Sequence, residues 1–119
     1  MNILVAEDDK VLSRMLCGVL QESGHICVPV YDAMQTFMYA MKQAPDLILL
    51  DVNMPGGSGV GALQKLKNST KTASIPVIVL SGSIDPSLPQ QVLDLGAVRF
   101  LAKPVEPEML TKAVVEAIR

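Results

Sequence analysis

The chain has 119 residues, 50% of them apolar and 18% charged, and its net charge at pH 7 is −2. This composition predicts one domain, residues 1–119, with a well-filled core, and it excludes a disordered chain, which would be poorer in aliphatic residues. No apolar run is long enough to span a bilayer, no signal-peptide pattern is present, and no basic patch stands out. We therefore expect a cytoplasmic domain that binds neither membrane nor nucleic acid.

Short apolar runs alternate with helical patterns along the chain. The first run, Asn2–Ala6, is continuous, as expected of a strand that is buried on both faces. From Lys10 the apolar residues recur three and four positions apart, which predicts a helix that ends at Gly24. Its predicted apolar face comprises Val11, Leu12, Met15, Leu16, Val19 and Leu20.

The second unit is a weaker strand followed by a helix. The strand, residues 25–30, contains Pro29, which indicates that the strand lies toward an edge of the sheet or ends there. Asp32 is a suitable N-cap for the helix, and Pro45 closes it. The apolar residues assigned to this helix are Met34, Phe37, Met38 and Met41.

The second half of the chain repeats the alternation. Strands are predicted at residues 46–52, 77–81 and 98–102, and the last helix begins near Pro107. Five strands alternating with five helices predict right-handed crossovers and a doubly wound, five-stranded parallel sheet with helices on both faces. The two intervening helices are marked by Val60, Leu63 and Leu66, and by Val92, Leu93 and Leu95 before Gly96.

Polar residues follow the ends of four predicted strands, where parallel sheets bind their ligands. These residues are Glu7, Asp8 and Asp9 after the first strand, Asp51 in the third, Ser81 in the fourth and Lys103 after the fifth. Neighbouring carboxylates repel each other by roughly 4 kcal/mol per pair at about 4 Å and an effective dielectric near 20, and a divalent cation removes that conflict. Oxygen ligands without histidine or cysteine favour Mg²⁺. Asp9 is better interpreted as a helix cap.

The sequence resembles the receiver domain of bacterial two-component response regulators over essentially its whole length. The motifs that carry the resemblance, in chain order, are ILVAEDD, LLDVNMPG, PVIVLSG and GAVRFLAKP. The resemblance implies a flavodoxin-like (βα)₅ fold and a phosphorylation-activated switch rather than an enzyme acting on external substrates. It also implies that the phosphoryl donor is a sensor histidine kinase or a phosphotransfer protein.

By the same resemblance, Asp51 is the phosphoacceptor and Mg²⁺ is the cofactor. Asp8 and Asp51 would ligate the ion directly, Glu7 mostly through a coordinated water, and Asn53 through its backbone carbonyl. The side chain of Lys103 would contact the phosphoryl oxygens.

The resemblance assigns the switch to two further residues. Ser81 would move to hydrogen-bond the phosphoryl group, and the aromatic ring of Phe100 would follow that movement. The Lys103–Pro104 peptide bond is expected to be cis, as in the family.

Several positions depart from the family pattern. Glycine and serine fill residues 56–59, where an apolar residue and an aspartate are usual, and we expect a looser loop there. Gly82 replaces a common alanine, Phe100 replaces a common tyrosine, and Pro86 and Pro89 flank the start of the fourth helix. Asn53 and Ser83 border the site, which suggests that they tune hydrolysis of the phosphorylated aspartate.

Three other functions are alternatives to a phosphorylated receiver: a degenerate receiver, a phosphohydrolase and an electron carrier. A degenerate receiver would bind partners without being phosphorylated. A magnesium-dependent phosphohydrolase of the haloacid-dehalogenase type needs a second aspartate where this chain has Asn53, and an electron carrier needs a phosphate-binding loop where it has acids. The sequence does not identify the output domain or effector, and it does not decide whether phosphorylation leads to a homodimer.

Cys17 and Cys27 are expected to be reduced thiols.

Overall fold

Strand and helix alternate through residues 1–53 and 59–118, the part of the chain that the computed structural model describes. The predicted loop at 56–59 therefore falls almost entirely outside the described residues. The elements are β1 Asn2–Ala6, α1 Lys10–Glu22, β2 Ile26–Val30, α2 Ala33–Gln43, β3 Leu47–Asp51, α3 Gly59–Asn68, β4 Val77–Ser81, α4 Leu88–Asp94, β5 Arg99–Ala102 and α5 Pro107–Ala117.

All five strands form one parallel sheet in the order β2-β1-β3-β4-β5, so the predicted fold is confirmed. Every residue of β3 and β4 is buried. This burial explains why the central strands are continuous apolar runs, since helices cover both of their faces.

The edge position predicted for β2 is confirmed, and the structure shows why Pro29 is tolerated. The amide of Ile26 donates to the carbonyl of Met1 (2.9 Å), and the carbonyl of Val30 accepts from the amide of Glu7 (3.1 Å). Residues 26 and 30 therefore face β1. Because strand residues alternate, the nitrogen of Pro29 faces away from the sheet, where its missing N–H costs no ladder bond.

Two apolar cores lie on opposite faces of the sheet. Alternate residues of β3 divide between them: Ile48 and Leu50 pack under α2, α3 and α4, and Leu47 and Leu49 pack under α1 and α5. Within the described residues, no helix combines the length and apolarity needed to cross a membrane.

The faces predicted for the first two helices were partly wrong. Val11 is 70% exposed on α1, and Met34 and Met38 are 69% and 62% exposed on α2. The buried stripes instead include the polar residues Ser13 and Thr36. A short polar side chain can be buried at little cost when its hydroxyl is satisfied, as that of Thr36 is by the carbonyl of Asp32 (2.7 Å).

The two cysteines lie closer together than their separation in the sequence suggested. Both are free thiols, and both pack against the core under α1 and α5. The thiols of Cys17 on α1 and Cys27 on β2 lie close enough for each to perturb the pKa of the other. Burial, and then the neighbouring Cys17, raises the pKa of Cys27 to about 12, so this thiol is protonated at neutral pH.

Candidate functional site

The carboxyl ends of four strands bring the predicted site residues together. Glu7 follows β1, Asp51 ends β3, Ser81 ends β4 and Lys103 follows β5. Glu7, Asp51 and Ser81 are at most 1% exposed. The register places Asp51 beside Leu80 and Ser81 beside Ala102, so the parallel ladder itself aligns these positions at one edge.

Lys103 is the cation of this pocket. Its Nζ lies 2.7 Å from Oε1 of Glu7 and 3.3 Å from Oδ2 of Asp51. Its backbone amide donates to the carbonyl of Ser81 (2.8 Å), which holds the start of the loop after β5 against β4. One ammonium thus faces two buried carboxylates.

Three carboxylates converge beside this lysine. Glu7, Asp8 and Asp51 each offer an oxygen, and these oxygens lie within 4.8 Å of one another. Among the described residues, Oε1 of Glu7 and Oδ2 of Asp51 are buried with no hydrogen bond, and the Lys103 ion pairs are their polar contacts. Orphaned carboxylate oxygens in an all-oxygen set fit a small hard cation such as Mg²⁺.

The charge balance of the pocket agrees with this fit. Burial raises the pKa of Glu7 to about 7, although the neighbouring Lys103 ammonium opposes the shift. Burial also acts to lower the pKa of Lys103, but the contacts with Glu7 and Asp51 outweigh it, and the net shift is upward. The lysine therefore stays charged, while Glu7 holds its proton up to about neutral pH, and a cation bound beside it would favour its charged form.

Asp51 is oriented by the turn that follows it. Its Oδ1 accepts a hydrogen bond from the backbone amide of Asn53 (3.0 Å), and the amide of Val52 donates to the carbonyl of Leu80 (3.3 Å). The bond from Asn53 occupies Oδ1 of the carboxylate, and Oδ2 faces Lys103.

Ser81 points its hydroxyl toward the surrounding loops. Its Oγ accepts from the backbone amide of Ser83 (3.0 Å) and from the side-chain amide of Asn53 (3.4 Å). The link between the Asn53 side chain and Ser81 was missed by the sequence analysis, which gave Asn53 a role only through its carbonyl and its position. A contact between residues that are distant in sequence leaves no periodic signal.

Asp9 behaves as the sequence predicted. Its side chain accepts from the backbone amides of Val11 and Leu12, which caps α1, and its own amide donates to Oε2 of Glu7 (3.1 Å). Asp9 is not a member of the carboxylate cluster, so the cap interpretation is confirmed.

The remaining predicted positions lie on or just after β5. Phe100 is partly buried and packs against the core under α2, α3 and α4. The Lys103–Pro104 peptide bond is cis, as the resemblance implied.

The strand order reverses between β1 and β3, and the acidic pocket lies where these strands end. This arrangement defines a flavodoxin-like α/β domain with its ligand site at the topological switch point. The chain belongs to the response regulator receiver domain family, because the model of that family matches residues 3–115.

Similar proteins agree with this assignment. The chain is 33% identical over 118 residues to the phosphate regulon transcriptional regulatory protein PhoB of Escherichia coli (strain K12), covering 99% of this chain and 52% of that protein. It is 33% identical over 119 residues to the transcriptional regulatory protein FixJ of Bradyrhizobium diazoefficiens, covering 57% of that protein. The chain thus spans little more than half the length of these relatives.

Solved structures show the same fold. A putative response regulator from Chloroflexus aurantiacus superposes with a TM-score of 0.93 at 26% identity, covering 98% of this chain and 96% of that one. The receiver domain of the sensor histidine kinase PA1611 from Pseudomonas aeruginosa, which has a magnesium ion in its active-site cleft, superposes with a TM-score of 0.89 at 25% identity. That match covers 98% of this chain and 96% of the other.

Proposed function

We propose that this receiver domain accepts a phosphoryl group on Asp51 and that Mg²⁺ is its cofactor. Glu7, Asp8, Asp51 and the backbone carbonyl of Asn53 would hold the ion. The observation that carries the proposal is the buried Oδ2 of Asp51, which has no hydrogen bond among the described residues and lies 3.3 Å from the Lys103 ammonium.

The transfer follows from this arrangement. A carboxylate oxygen of Asp51 attacks the phosphorus of a phosphohistidine, a P–O bond forms, and the P–N bond breaks with its electron pair passing to the imidazole. Lys103 neutralises negative charge on the transferred oxygens. When bound, Mg²⁺ supplies further charge neutralisation at the same oxygens.

The switch rests on Ser81, Lys103 and Phe100. A hydrogen bond from Ser81 to a charged phosphoryl oxygen contributes about 1.5–3 kcal/mol. Moving a two-state domain from 1:99 to 99:1 takes roughly 5.5 kcal/mol. The Lys103 contact and repacking of Phe100 therefore have to contribute the remainder.

The proposed donor is a sensor histidine kinase or a phosphotransfer protein that meets the domain beside this pocket. An open cleft of about 480 Å³ lies there, and the exposed apolar side chains of Val11 and Met15 line it together with Lys103 and Pro104. An apolar surface next to the nucleophile suits the docking of a partner.

The signal would pass from this domain to an effector or an output domain, which the sequence does not identify. PhoB and FixJ are named transcriptional regulatory proteins, and this chain covers only part of each. We assign no DNA contact to this domain, since its net charge is −2. A cytoplasmic location and a phosphorylation-dependent homodimer belong to the same proposal.

Acetyl phosphate with Mg²⁺ tests the site directly by intact-mass spectrometry. The wild-type protein should gain one phosphoryl group, and Asp51→Asn should gain none. Asp9→Asn is the matched control, because asparagine also caps helices and Asp9 is outside the cluster. An unmodified wild-type protein that still binds Mg²⁺ would favour the degenerate receiver, and sustained hydrolysis of an added phosphate ester would favour the phosphohydrolase.

A further inference from the structure

Asn53 connects the two groups that a phosphoryl transfer would change. Its backbone amide donates to Oδ1 of Asp51 (3.0 Å), and its side-chain amide donates to Oγ of Ser81 (3.4 Å). Ser81 is fully buried, whereas the Asn53 side chain lies at the exposed rim of the pocket. One residue therefore contacts both the carboxylate and the hydroxyl, which belong to different strands.

We propose that the Asn53 side chain is a latch that holds Ser81 in its resting orientation and is released when Asp51 is phosphorylated. The inference rests on the proposed function of Asp51. Asn53 acts here as a positioning residue, since its side chain acts through Ser81.

The hydrogen-bonding capacity of serine supports the latch. A hydroxyl has two acceptor lone pairs and one hydrogen to donate. In the structure, the amides of Ser83 and Asn53 both donate to Oγ of Ser81, and no hydrogen bond joins Ser81 to Asp51 among the described residues. The two donors hold Oγ in one orientation, and any turn about the Cα–Cβ bond that carries the hydroxyl toward a phosphoryl oxygen on Asp51 moves Oγ away from the Asn53 amide.

The latch therefore stabilises the resting state and opposes activation. The bond is long at 3.4 Å and the amide is near solvent, so its effect is modest. A net hydrogen bond of this kind corresponds to a shift of about two- to tenfold in the resting-to-activated equilibrium.

Binding of beryllofluoride, a stable phosphoryl mimic, tests the latch in the presence of saturating Mg²⁺. Isothermal titration should give a Kd about two- to tenfold lower for Asn53→Ala than for wild type, because the resting orientation is no longer favoured.

Ser83→Ala is the matched control at the same rim. Its backbone amide would still donate to Ser81, and in the part of the chain that the structure describes the lost hydroxyl accepts only from the amide of Asp85. The control should bind beryllofluoride as the wild type does.

A double-mutant cycle with Ser81→Ala separates the latch from a general effect of Asn53. Without the Ser81 hydroxyl, adding Asn53→Ala should leave the Kd unchanged. An equal gain in both backgrounds, or no gain in either, would overturn the latch while leaving the proposed phosphoacceptor intact. A wild-type protein that binds Mg²⁺ but no beryllofluoride would overturn both.

Discussion

Apolar side chains are found both in the middle of the sheet and at its margins, but they are buried in the middle and exposed to solvent at the margins. In β3 and β4 every side chain is buried, whereas Ile26 on the edge strand β2 is 64% exposed and Met34 on α2 is 69% exposed. Water is excluded from the centre, so a polar group there needs a partner, and the acidic pocket has one in Lys103. At the margins an apolar side chain can remain in solvent at little cost.

This difference determines where substitutions should act. In the central strands they should change the stability of the whole domain. Within the polar pocket they should trade stability against binding of the cation. At the margins they should leave stability nearly unchanged and affect partner binding.

The largest expected effect is at Leu49, which is fully buried in the core under α1 and α5. Leu49→Ala should lower the free energy of unfolding by about 2–5 kcal/mol, because it leaves a cavity that the tightly packed strand cannot close. Met38→Ala on the exposed face of α2 should change it by no more than about 0.5 kcal/mol. Urea denaturation followed by circular dichroism measures both, and comparable losses would contradict the contrast.

Two of the three central strands were predicted in full from the sequence. β1 and β4 begin and end where the apolar runs predicted, because continuous burial on two faces leaves no polar interruptions. The prediction for β3 is one residue too long at each end, and those for β2 and β5 begin one residue early, at points where the chain enters or leaves the sheet. The pocket was predictable because parallel strands deliver their carboxyl ends to one edge.

The margins were harder to predict, for a physical reason. The periodicity of α1 and α2 shows that an apolar stripe exists but not how far it is rotated against the sheet. The buried stripes include Ser13 and Thr36, and a polar residue in a core-facing position carries no hydrophobic signal. The contact of Cys17 with Cys27 likewise depends on how α1 packs on β2.

Cys27 lies on the edge strand β2, but its thiol is partly buried rather than exposed. Burial raises the pKa of this thiol to about 12, from the ordinary 9.0, so the reactive thiolate should be scarce in the folded protein at pH 8. Alkylation of Cys27 by iodoacetamide at pH 8 should be slower than in urea by roughly a thousandfold, the ratio of the thiolate fractions, and its rate should keep rising with pH beyond pH 9. Peptide mapping by mass spectrometry resolves Cys27 from Cys17. Equal rates for Cys27 in folded and unfolded protein would show that its surroundings do not protect it.

A substitution at Glu7 should increase the stability of the domain and decrease its affinity for Mg²⁺. Glu7→Gln keeps the shape of the side chain and removes one of three converging negative charges. In EDTA the free energy of unfolding should rise by about 1 kcal/mol, because the cost of burying a charged carboxylate, which outweighs its pairing with Lys103, is removed. The affinity for Mg²⁺ should fall about tenfold, as expected for the loss of a metal-positioning carboxylate. Thermal unfolding with and without Mg²⁺ measures both effects. Asp9→Asn should retain the wild-type response to Mg²⁺, and a Glu7→Gln protein that also retained it would place the cation elsewhere.

The smallest expected effect is at Gly82, on the loop that leaves the pocket. A Cβ at this position would lie 3.8 Å from Cβ of Lys103, which is ordinary van der Waals contact, and no left-handed backbone conformation requires glycine there. Gly82→Ala should therefore raise the free energy of unfolding by about 0.4–1 kcal/mol, because alanine restricts the unfolded chain and packs on the lysine stem. Gly96 is the opposite case: its φ is +109°, and a Cβ would lie 3.2 Å from Cγ of Lys67, so Gly96→Ala should destabilise the domain. Urea denaturation of the two variants side by side should give changes of opposite sign. A loss of stability in both would mean that the loop after Ser81 needs the freedom of glycine, so that the margin of the pocket is as constrained as its centre.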